Sequence, residues 1–315
     1  MTPEIRRIDS GDNAGIDAYC EVRNAVWPDD GDSPAQVAWE DATYPGQVVR
    51  FLARADGKVV GSATTGRLHI YGPEHPRWYL GIWVLPHARL RGVGSALWHA
   101  TSDAARTAGK DGLQCWISEA DDAGCGFLRH RGFEVVGRDK SVGLRLAGRT
   151  RPTPDTPPGF VITDLDARPE LVAGVHRAAL EAYPAIPSAT PLDPGPLDEF
   201  VAREVERDGV PRDGFKIAVD TASGTVAGYA SVKFAPGTPT IGWHEMTAVR
   251  PGYRGLGLAT ALKQATIAWA IDRGLEALHT GNDERNAPMR AVNAKLGYTP
   301  LADFLAFRGP LAPAR

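Results

Sequence analysis

The sequence predicts an α/β protein that consists of two copies of one unit. Its 315 residues exceed the length of one typical domain, and strand-like and helix-like segments alternate along the chain. When the sequence is shifted by 165 positions its landmarks coincide, so that Arg89 aligns with Arg254 and Gly92 aligns with Gly257. Because there are only two copies and each is domain-sized, a solenoid of short repeats is excluded.

A proline-rich stretch separates the two copies. Between Gly148 and Gly159 the chain has four prolines and no apolar periodicity, which is typical of a semi-extended linker. We therefore predict a first unit over residues 1–148, a linker over 149–158 and a second unit over 159–315.

Each copy is predicted to begin with a strand and two helices, followed by a hairpin, a strand, a glycine turn and a long helix. Polar turns at Asp56-Gly57 and Ser223-Gly224, each between apolar runs, indicate the hairpins. The first copy is predicted to have strand 5–8, helices 16–26 and 34–42, hairpin 48–68, strand 77–85, helix 92–108, strand 113–117, helix 123–131 and strand 142–146. The second is predicted to have strand 160–165, helices 169–182 and 197–207, hairpin 215–234, strand 243–249, a helix ending at 273, strand 277–280 and a helix ending at 296.

One segment of the second copy cannot be regular. Residues 185–196 contain four prolines, which break both helices and central strands. Two interpretations remain open: this segment is a surface connector, or it is a loop that covers a substrate.

The turn that follows strand 243–249 has the composition of an anion site. Gly255 and Gly257 lack a Cβ, so a ligand can approach the backbone closely. The first N–H groups of the following helix have no intrahelical partners, and the helix dipole adds positive potential there. A pyrophosphate suits such a turn, and Arg254 could add a charged contact. The candidate ligand-binding residues around the turn are Ala248, Val249, Arg254, Gly255, Leu256, Gly257, Leu258 and Ala259.

The order of these motifs resembles the GNAT acyltransferase superfamily. Arg-x-x-Gly-x-Ala at 254–259 is similar to motif A of that family, and the stretch from Asn282 through Asn286 to Gly297-Tyr298 is similar to its motif B. The resemblance covers both copies and implies that each is a mixed, mostly antiparallel sheet flanked by helices. It implies acetyl-CoA as the ligand, with Asn282 and Asn286 beside the CoA arm. In the first copy it implies Val84, Arg89, Arg91, Gly92, Val93, Gly94 and Ser95 as the corresponding CoA-binding residues.

The resemblance also implies direct attack of an amine on the acyl thioester. The amine must be neutral to attack, so a base is needed. Glu245 on strand 243–249 suits that role, whereas its counterpart in the first copy, Leu80, does not; the structural alternative for Glu245 is a salt-bridged surface carboxylate. Strand alternation turns His244 to the opposite face, where we expect a packed or surface histidine.

Two other predicted site residues carry open alternatives. Asn286 could hydrogen-bond the CoA arm or cap its helix, and the two roles can coexist. Asn293 stands where the family often has a tyrosine that protonates the leaving thiolate. An amide can hydrogen-bond the sulfur but is a poor acid, so water or an unprotonated thiolate must also be considered. Tyr253 and Tyr298 are the nearby tyrosines, and both are expected to serve packing.

The leading prediction is an N-acyltransferase whose second copy moves acetyl from acetyl-CoA to a primary amine of a small molecule. Tandem members of the superfamily of the mycothiol-synthase type, to which the chain has a distant similarity, act on a cysteine amine, which provides one substrate option. The first copy is expected either to hold a second CoA or to be structural. The alternative function is a non-catalytic acyl-CoA-binding or regulatory protein. A dinucleotide site is disfavoured because the third glycine of its fingerprint is missing.

Composition gives no reason to expect a nucleic-acid or membrane partner, and it suits the cytoplasm. With 35 basic and 38 acidic residues and a net charge of −3, the chain has no general electrostatic reason to bind nucleic acid or membrane. Its cysteines, Cys20, Cys115 and Cys125, have no metal-ligand spacing, and so sparse a set suits a reducing compartment. The N-terminal residues lack the apolar core of a signal peptide, and no run of about 18 apolar residues occurs. We therefore expect a cytoplasmic location and no metal.

Overall fold

The computed structural model describes residues 3–28, 31–234 and 238–314. The outermost residues of the two predicted units, Met1, Thr2 and Arg315, lie outside these ranges. Within the described residues, no helix combines the length and apolar character required to cross a membrane.

The first half of the chain forms six strands and four helices within the described residues. These are β1 (Glu4–Ile8), α1 (Asn13–Val26), α2 (Pro34–Thr43), β2 (Val48–Ala55), β3 (Lys58–Gly66), β4 (Arg77–Val84), α3 (Val93–Thr107), β5 (Gly112–Ser118), α4 (Asp122–Arg129) and β6 (Glu134–Arg145). The second half repeats this order and adds one strand. Its elements are β7 (Phe160–Asp164), α5 (Val172–Ala182), α6 (Leu197–Glu204), β8 (Lys216–Asp220), β9 (Val226–Phe234), β10 (Ile241–Val249), α7 (Leu258–Asp272), β11 (Ala277–Asp283), α8 (Ala287–Lys295), β12 (Thr299–Pro300) and β13 (Phe304–Pro310).

All of these strands belong to one continuous sheet. Its order is β1-β2-β3-β4-β5-β13-β6-β11-β10-β9-β8-β7, with β12 paired to β6. Among the strand pairs of the described residues, only β4–β5 and β10–β11 are parallel. The expected α/β fold, two tandem units with a mixed and mostly antiparallel sheet and flanking helices, is confirmed.

The last strands of the two halves are exchanged across the predicted boundary. β13 comes from the end of the chain but lies between β5 and β6. The second part of β6 pairs with β11, from Asp139 opposite Asp283 to Arg145 opposite Ala277. Each half therefore completes its sheet with a strand of the other, and the division at 149–158, drawn from the proline-rich linker, does not separate two independent sheets.

Several predicted elements need correction at their ends. The expected strand 142–146 is the last part of β6, which begins at Glu134, and β13 was not predicted. The helix expected from residue 169 begins at Val172, because Pro169–Leu171 form a 3₁₀ turn. Propensity rules locate these elements but do not determine the ends, which depend on packing.

The helices cover both faces of the sheet. On β4, Leu80, Ile82 and Val84 pack with α3 residues, whereas Trp83 packs with α1 residues such as Tyr19. Since alternate strand residues point to opposite faces, α1 and α3 lie on opposite sides of β4. The second half has the same layers, with α5 residues packed against Ala248 and α7 residues near Val249.

Candidate active site

The turn between β10 and α7 has an open, left-handed backbone. Gly255 and Gly257 have φ values of +80° and +91°, a conformation that only glycine adopts at little cost. Gly257 is the N-cap of α7 and no side chain caps this helix end, so the first N–H groups of α7 lack intrahelical partners. Nothing lies within 4 Å of a Cβ built on Gly255, and residues 254–257 are exposed. This turn can therefore accept an anion such as a pyrophosphate.

Arg254 has a structural contact in addition to its expected role. Its Nε donates a hydrogen bond to the Val249 carbonyl oxygen at 3.1 Å, which ties the turn to the end of β10. Its Nη2 also donates to the Ala182 carbonyl oxygen at 3.5 Å. The side chain remains exposed, so its Nη1 can still approach a phosphate.

The linker runs beside this turn without covering it. The Asp155 backbone N–H donates to Gln264 Oε1 on α7 at 2.8 Å, and Arg151 pairs with Asp272 at 2.9 Å. The ring of Pro157 comes within 3.9 Å of a Cβ built on Gly257, which is an ordinary contact. The linker therefore forms one border of the anion site.

A cleft opens where β10 and β11 separate. Their parallel pairing is limited to Ile241–Trp243 and Ala277–His279, after which the two strands diverge. A small cavity of about 50 Å³ lies there, lined by residues from both strands, α7, α8 and the segment after α5: Ile186, Glu245, Met246, Thr247, Lys263, Thr280, Asn282, Asn286 and Met289. The predicted base and both predicted motif B asparagines, Glu245, Asn282 and Asn286, are thus brought together.

A β-bulge positions Glu245. The pairing with β9 shifts between His244 and Thr247, so that Glu245 and Met246 together face one residue, Ser231. The Glu245 side chain is 40% exposed, and its carboxylate lies 3.4 Å from Lys233 Nζ. Glu245 is therefore salt-bridged, as the structural alternative predicted, but its carboxylate remains accessible from the cleft.

The three predicted asparagines have distinct positions. Asn286 caps α8, because its Oδ1 accepts from the Met289 N–H at 3.3 Å, and its amide N–H₂ remains able to donate to a ligand. Asn293 is buried, and its Nδ2 donates to Asn282 Oδ1 at 2.7 Å. Asn293 thus contacts the cleft through Asn282, a positioning contact that sequence reasoning did not predict.

The cleft contains a buried basic residue that sequence reasoning missed. Lys263 of α7 is 1% exposed, and its Nζ lies 5.2 Å from the ring centroid of Tyr298. Burial lowers the pKa of the Lys263 ammonium to about 7. The sequence held only a partial signal: Ala259 and Ile267, one turn before and one turn after Lys263 on α7, are apolar. Thr280 and Met289 also line the cavity and were not predicted.

His244 and Tyr298 lie behind this lysine. His244 is buried, which agrees with the packed alternative and not with the surface one. Its Nδ1 is 3.0 Å from the Tyr298 hydroxyl. Burial, assisted by the positive charge of Lys263, holds the pKa of the His244 imidazole well below its usual value. Burial raises the pKa of the Tyr298 hydroxyl. Both groups are therefore neutral at physiological pH, and Tyr298 packs as expected.

The corresponding turn of the first half has the same backbone but different neighbours. Gly92 has φ +83° and Leu90 has φ +60°, which matches the turn at 255–257, and Arg89 Nε donates to the Val84 carbonyl oxygen. The Phe127 ring of α4 lies 3.0 Å from a Cβ built on Gly94. Side chains of α4 therefore pack directly against the start of α3.

Arg131 and β4 add further packing beside the start of α3. Arg131 Nη2 donates to the Ser95 hydroxyl, and the Arg131 guanidinium stacks on Phe127 at 3.5 Å. On β4 the pairing with β3 continues without a bulge, Leu80 is buried, and the Trp83 ring occupies the space beside Gly81.

The chain belongs to the GNAT family of acetyltransferases. The family model, described as "Acetyltransferase (GNAT) family", matches twice, at residues 16–133 and 176–298, which together make up more than half of the chain. These two matches coincide with the two copies identified from the shifted sequence.

Among curated relatives, several mycothiol acetyltransferases are similar to this chain. That of Pseudarthrobacter chlorophenolicus is 29% identical over 225 residues, which cover 70% of this chain and 66% of the relative. That of Actinosynnema mirum is 27% identical over 274 residues, which cover 86% of this chain and 87% of the relative. The chain thus spans slightly less than two thirds of the first relative's length and most of the second's.

Two solved structures share the whole fold. A tandem GNAT protein from the clavulanic acid biosynthesis pathway has a TM-score of 0.78 and 21% identity, with full coverage of both chains. A GCN5-related N-acetyltransferase from Sphaerobacter thermophilus has a TM-score of 0.70 and 20% identity, with 99% of this chain and 97% of that chain covered. At such identities the likeness concerns the fold alone.

Proposed function

We propose that the second half transfers the acetyl group of acetyl-CoA to a primary amine of a small molecule. The observation that carries this proposal is the convergence of three features: the open turn at 255–257, the separation of β10 and β11, and Glu245 on the bulge beside it. The turn suits the pyrophosphate of CoA, and the gap between the strands suits its extended arm. Asn286 and Asn282 line that gap and can hydrogen-bond amide groups of the arm.

Glu245 acts as the base in this reaction. An amine at neutral pH arrives largely as its ammonium form, and a carboxylate in the cleft, directly or through water, can accept the proton that must leave before attack. The amine nitrogen then bonds to the thioester carbonyl carbon, and the carbon–sulfur bond breaks with its electron pair remaining on sulfur.

The acceptor enters from the side of the segment 185–196. Ile186 lines the cavity, the Asp193 N–H donates to the Ile70 carbonyl oxygen, and the Arg308 guanidinium contacts the Thr190 hydroxyl. The segment thus bridges the cleft and the first half, which supports a substrate-covering role over a mere connector. A cysteinyl amine, the group named by the resemblance to tandem acetyltransferases, is the first acceptor class to test.

The first half is proposed to be structural and not to bind acetyl-CoA. Phe127 and Arg131 pack against Gly94 and Ser95 at the start of its long helix, and Leu80 stands in the position of the base. Titration calorimetry of the full-length protein with acetyl-CoA should give one site per chain; two sites would contradict this assignment.

The activity is tested by supplying acetyl-CoA and a panel of primary amines, and measuring CoA by chromatography. Glu245→Gln is expected to lower kcat by about 100-fold or more, the usual contribution of a positioned base, while acetyl-CoA affinity is unchanged. The matched control is Glu276→Gln, an exposed glutamate outside the cleft, which should keep full activity. Binding of acetyl-CoA without turnover of any amine would instead support the alternative, a non-catalytic acyl-CoA-binding protein.

A further inference from the structure

Lys263 is the one charged side chain of the cleft that the proposed reaction leaves unused. It projects from α7 and lines the same cavity as Glu245, Thr280 and Asn282, although its residue surface is only 1% exposed. The cavity thus has a carboxylate contributed by the β10 bulge and an amine contributed by α7.

Nothing in the described parts of the chain pairs with this amine. Within residues 3–28, 31–234 and 238–314, no ion pair or hydrogen bond is found for Lys263 Nζ, which rests on the Tyr298 ring. The titratable groups around it are His244 on β10, whose pKa it helps to lower, Tyr298 after α8, and Glu245, which pairs with Lys233. An unpaired buried ammonium is costly, so both protonation states of Lys263 are accessible near neutral pH.

The first half lacks this pair altogether. Lys263 aligns with Trp98 at the shift of 165, and Glu245 aligns with Leu80. Trp98 and Leu80 belong to one hydrophobic cluster. The base and the lysine are therefore present together in the half with an open cleft, and both are replaced by apolar residues in the other half.

The cleft also lacks an evident acid on α8. Asn293 occupies the position at which the family often has a tyrosine acid, but its side chain is an amide and is hydrogen-bonded to Asn282. The Tyr298 hydroxyl is paired with His244 behind the lysine. Of the side chains lining the cavity, Lys263 is the one that can act as a proton-releasing acid near neutral pH, since amides and hydroxyls donate hydrogen bonds but do not give up the proton.

We propose that Lys263 donates a proton to the sulfur of CoA as the acetyl group leaves. This inference rests on the proposed function. The amine, made neutral by loss of one proton to Glu245, attacks the carbonyl carbon. The carbon–sulfur bond breaks with its electron pair on sulfur, and the Nζ–H proton of Lys263 moves to that sulfur. The acetylated nitrogen loses its remaining excess proton to solvent, which leaves the neutral amide. Glu245 then releases its proton to solvent, and Lys263 takes one up, which restores the starting state.

The test compares wild-type full-length protein with Lys263→Met and Lys263→Gln, and Lys295→Met serves as a control. Lys295 is an exposed lysine at the end of α8. Acetyl-CoA affinity is measured by calorimetry and turnover by CoA release with the best amine of the panel. The ultraviolet absorbance of the thiolate, recorded against pH in complexes with CoA itself, gives a readout that does not depend on turnover.

Both Lys263 variants are expected to bind acetyl-CoA as the wild type does and to lose about 100-fold in kcat. The wild-type kcat/KM should decline as the pH rises through about 7, where Lys263 loses its proton, and this decline should vanish in the variants. The thiol of bound CoA should ionise at higher pH in the variants than in the wild type, because the neighbouring ammonium is gone.

Unchanged turnover and an unchanged pH profile in folded Lys263→Met or Lys263→Gln would overturn the proton-donor role. Loss of acetyl-CoA affinity with kcat retained would also overturn it, because Lys263 would then hold the CoA arm. If the wild type itself neither binds acetyl-CoA nor releases CoA, the proposed function fails and this inference fails with it.

Discussion

The turns after β4 and β10 have the same backbone, but the clefts beside them are built differently. Both turns have two left-handed residues and an arginine that bonds back to its strand. Beside the second turn a bulge presents Glu245, and beside the first a regular strand buries Leu80. Both turns have a backbone shape that can bind an anion, but only the second has a carboxylate beside it. The shape of a turn depends on a few neighbouring backbone dihedrals, whereas the residues that line a cleft depend on the packing of distant elements.

The largest expected effect concerns the independence of the halves. Residues 1–148 and 159–315, produced separately, should fail to fold stably, because each lacks a strand that lies inside its sheet and leaves the edges of its neighbours unpaired. Circular dichroism and denaturant unfolding of the fragments provide the measurement.

A chain cut within the linker serves as the control for that experiment. It should remain one folded particle, because the exchanged strands still join the halves. A cooperatively folded 1–148 fragment would show that the exchange is dispensable.

The next effect contrasts the two glycines that begin the long helices. Gly257→Ala and Gly92→Ala both force alanine into a left-handed conformation, at about 1–2 kcal/mol of stability each. Only Gly257→Ala should also weaken acetyl-CoA binding, by more than about tenfold, because its Cβ stands where the backbone meets the ligand. Calorimetry decides between the halves: an equal loss of affinity in Gly92→Ala would mean that the first turn binds CoA too.

The stability of the protein should depend on pH through Lys263. The folded pKa of about 7 lies below the unfolded value of about 10.4, so the unfolded chain binds more protons between these values. Wild-type stability is therefore lowest below about pH 7 and rises with pH across this window.

Lys263→Met should remove this dependence and raise the unfolding temperature, most strongly at low pH. A buried ammonium without a partner costs free energy, so an apolar side chain of similar volume should stabilise the folded state. Unfolding at pH 6 and pH 9 provides the test, with Lys295→Met as a control that should leave the wild-type curve unchanged. A pH-independent gain would mean that the pKa of Lys263 is the same in the folded and unfolded chain, and a loss of stability would mean that Lys263 is well paired in the folded protein.

The smallest expected effect lies in the first turn. Leu90 has φ +60° and is fully exposed, so it bears the strain of a left-handed residue without compensating burial. Leu90→Asn should gain about 0.5–1 kcal/mol, because asparagine tolerates this conformation better. Denaturant midpoints measure it, and Leu256→Asn, at a residue for which no positive φ is found, should give no comparable gain.

Much of the candidate site could be predicted from local sequence. The glycine pair at 255–257, the strand position of Glu245 and the helix-capping Asn286 are properties of short stretches, and the structure brings the last two into one cavity with Asn282. Lys263 escaped prediction because a lysine on an amphipathic helix usually extends its charge to solvent, and only the packing of α7 against β10 and α8 buries it.

The sequence by itself determined that the chain is a duplication, where its long helices begin, and which half has a carboxylate next to its turn. These features follow from residue identity and short spacing, which act through a few neighbouring backbone dihedrals. Only the tertiary structure decided the exchange of β6 and β13, the bulge at Glu245 and the burial of Lys263. Each of these depends on contacts between residues far apart in the chain, and strand partners are selected by the packing of the whole sheet.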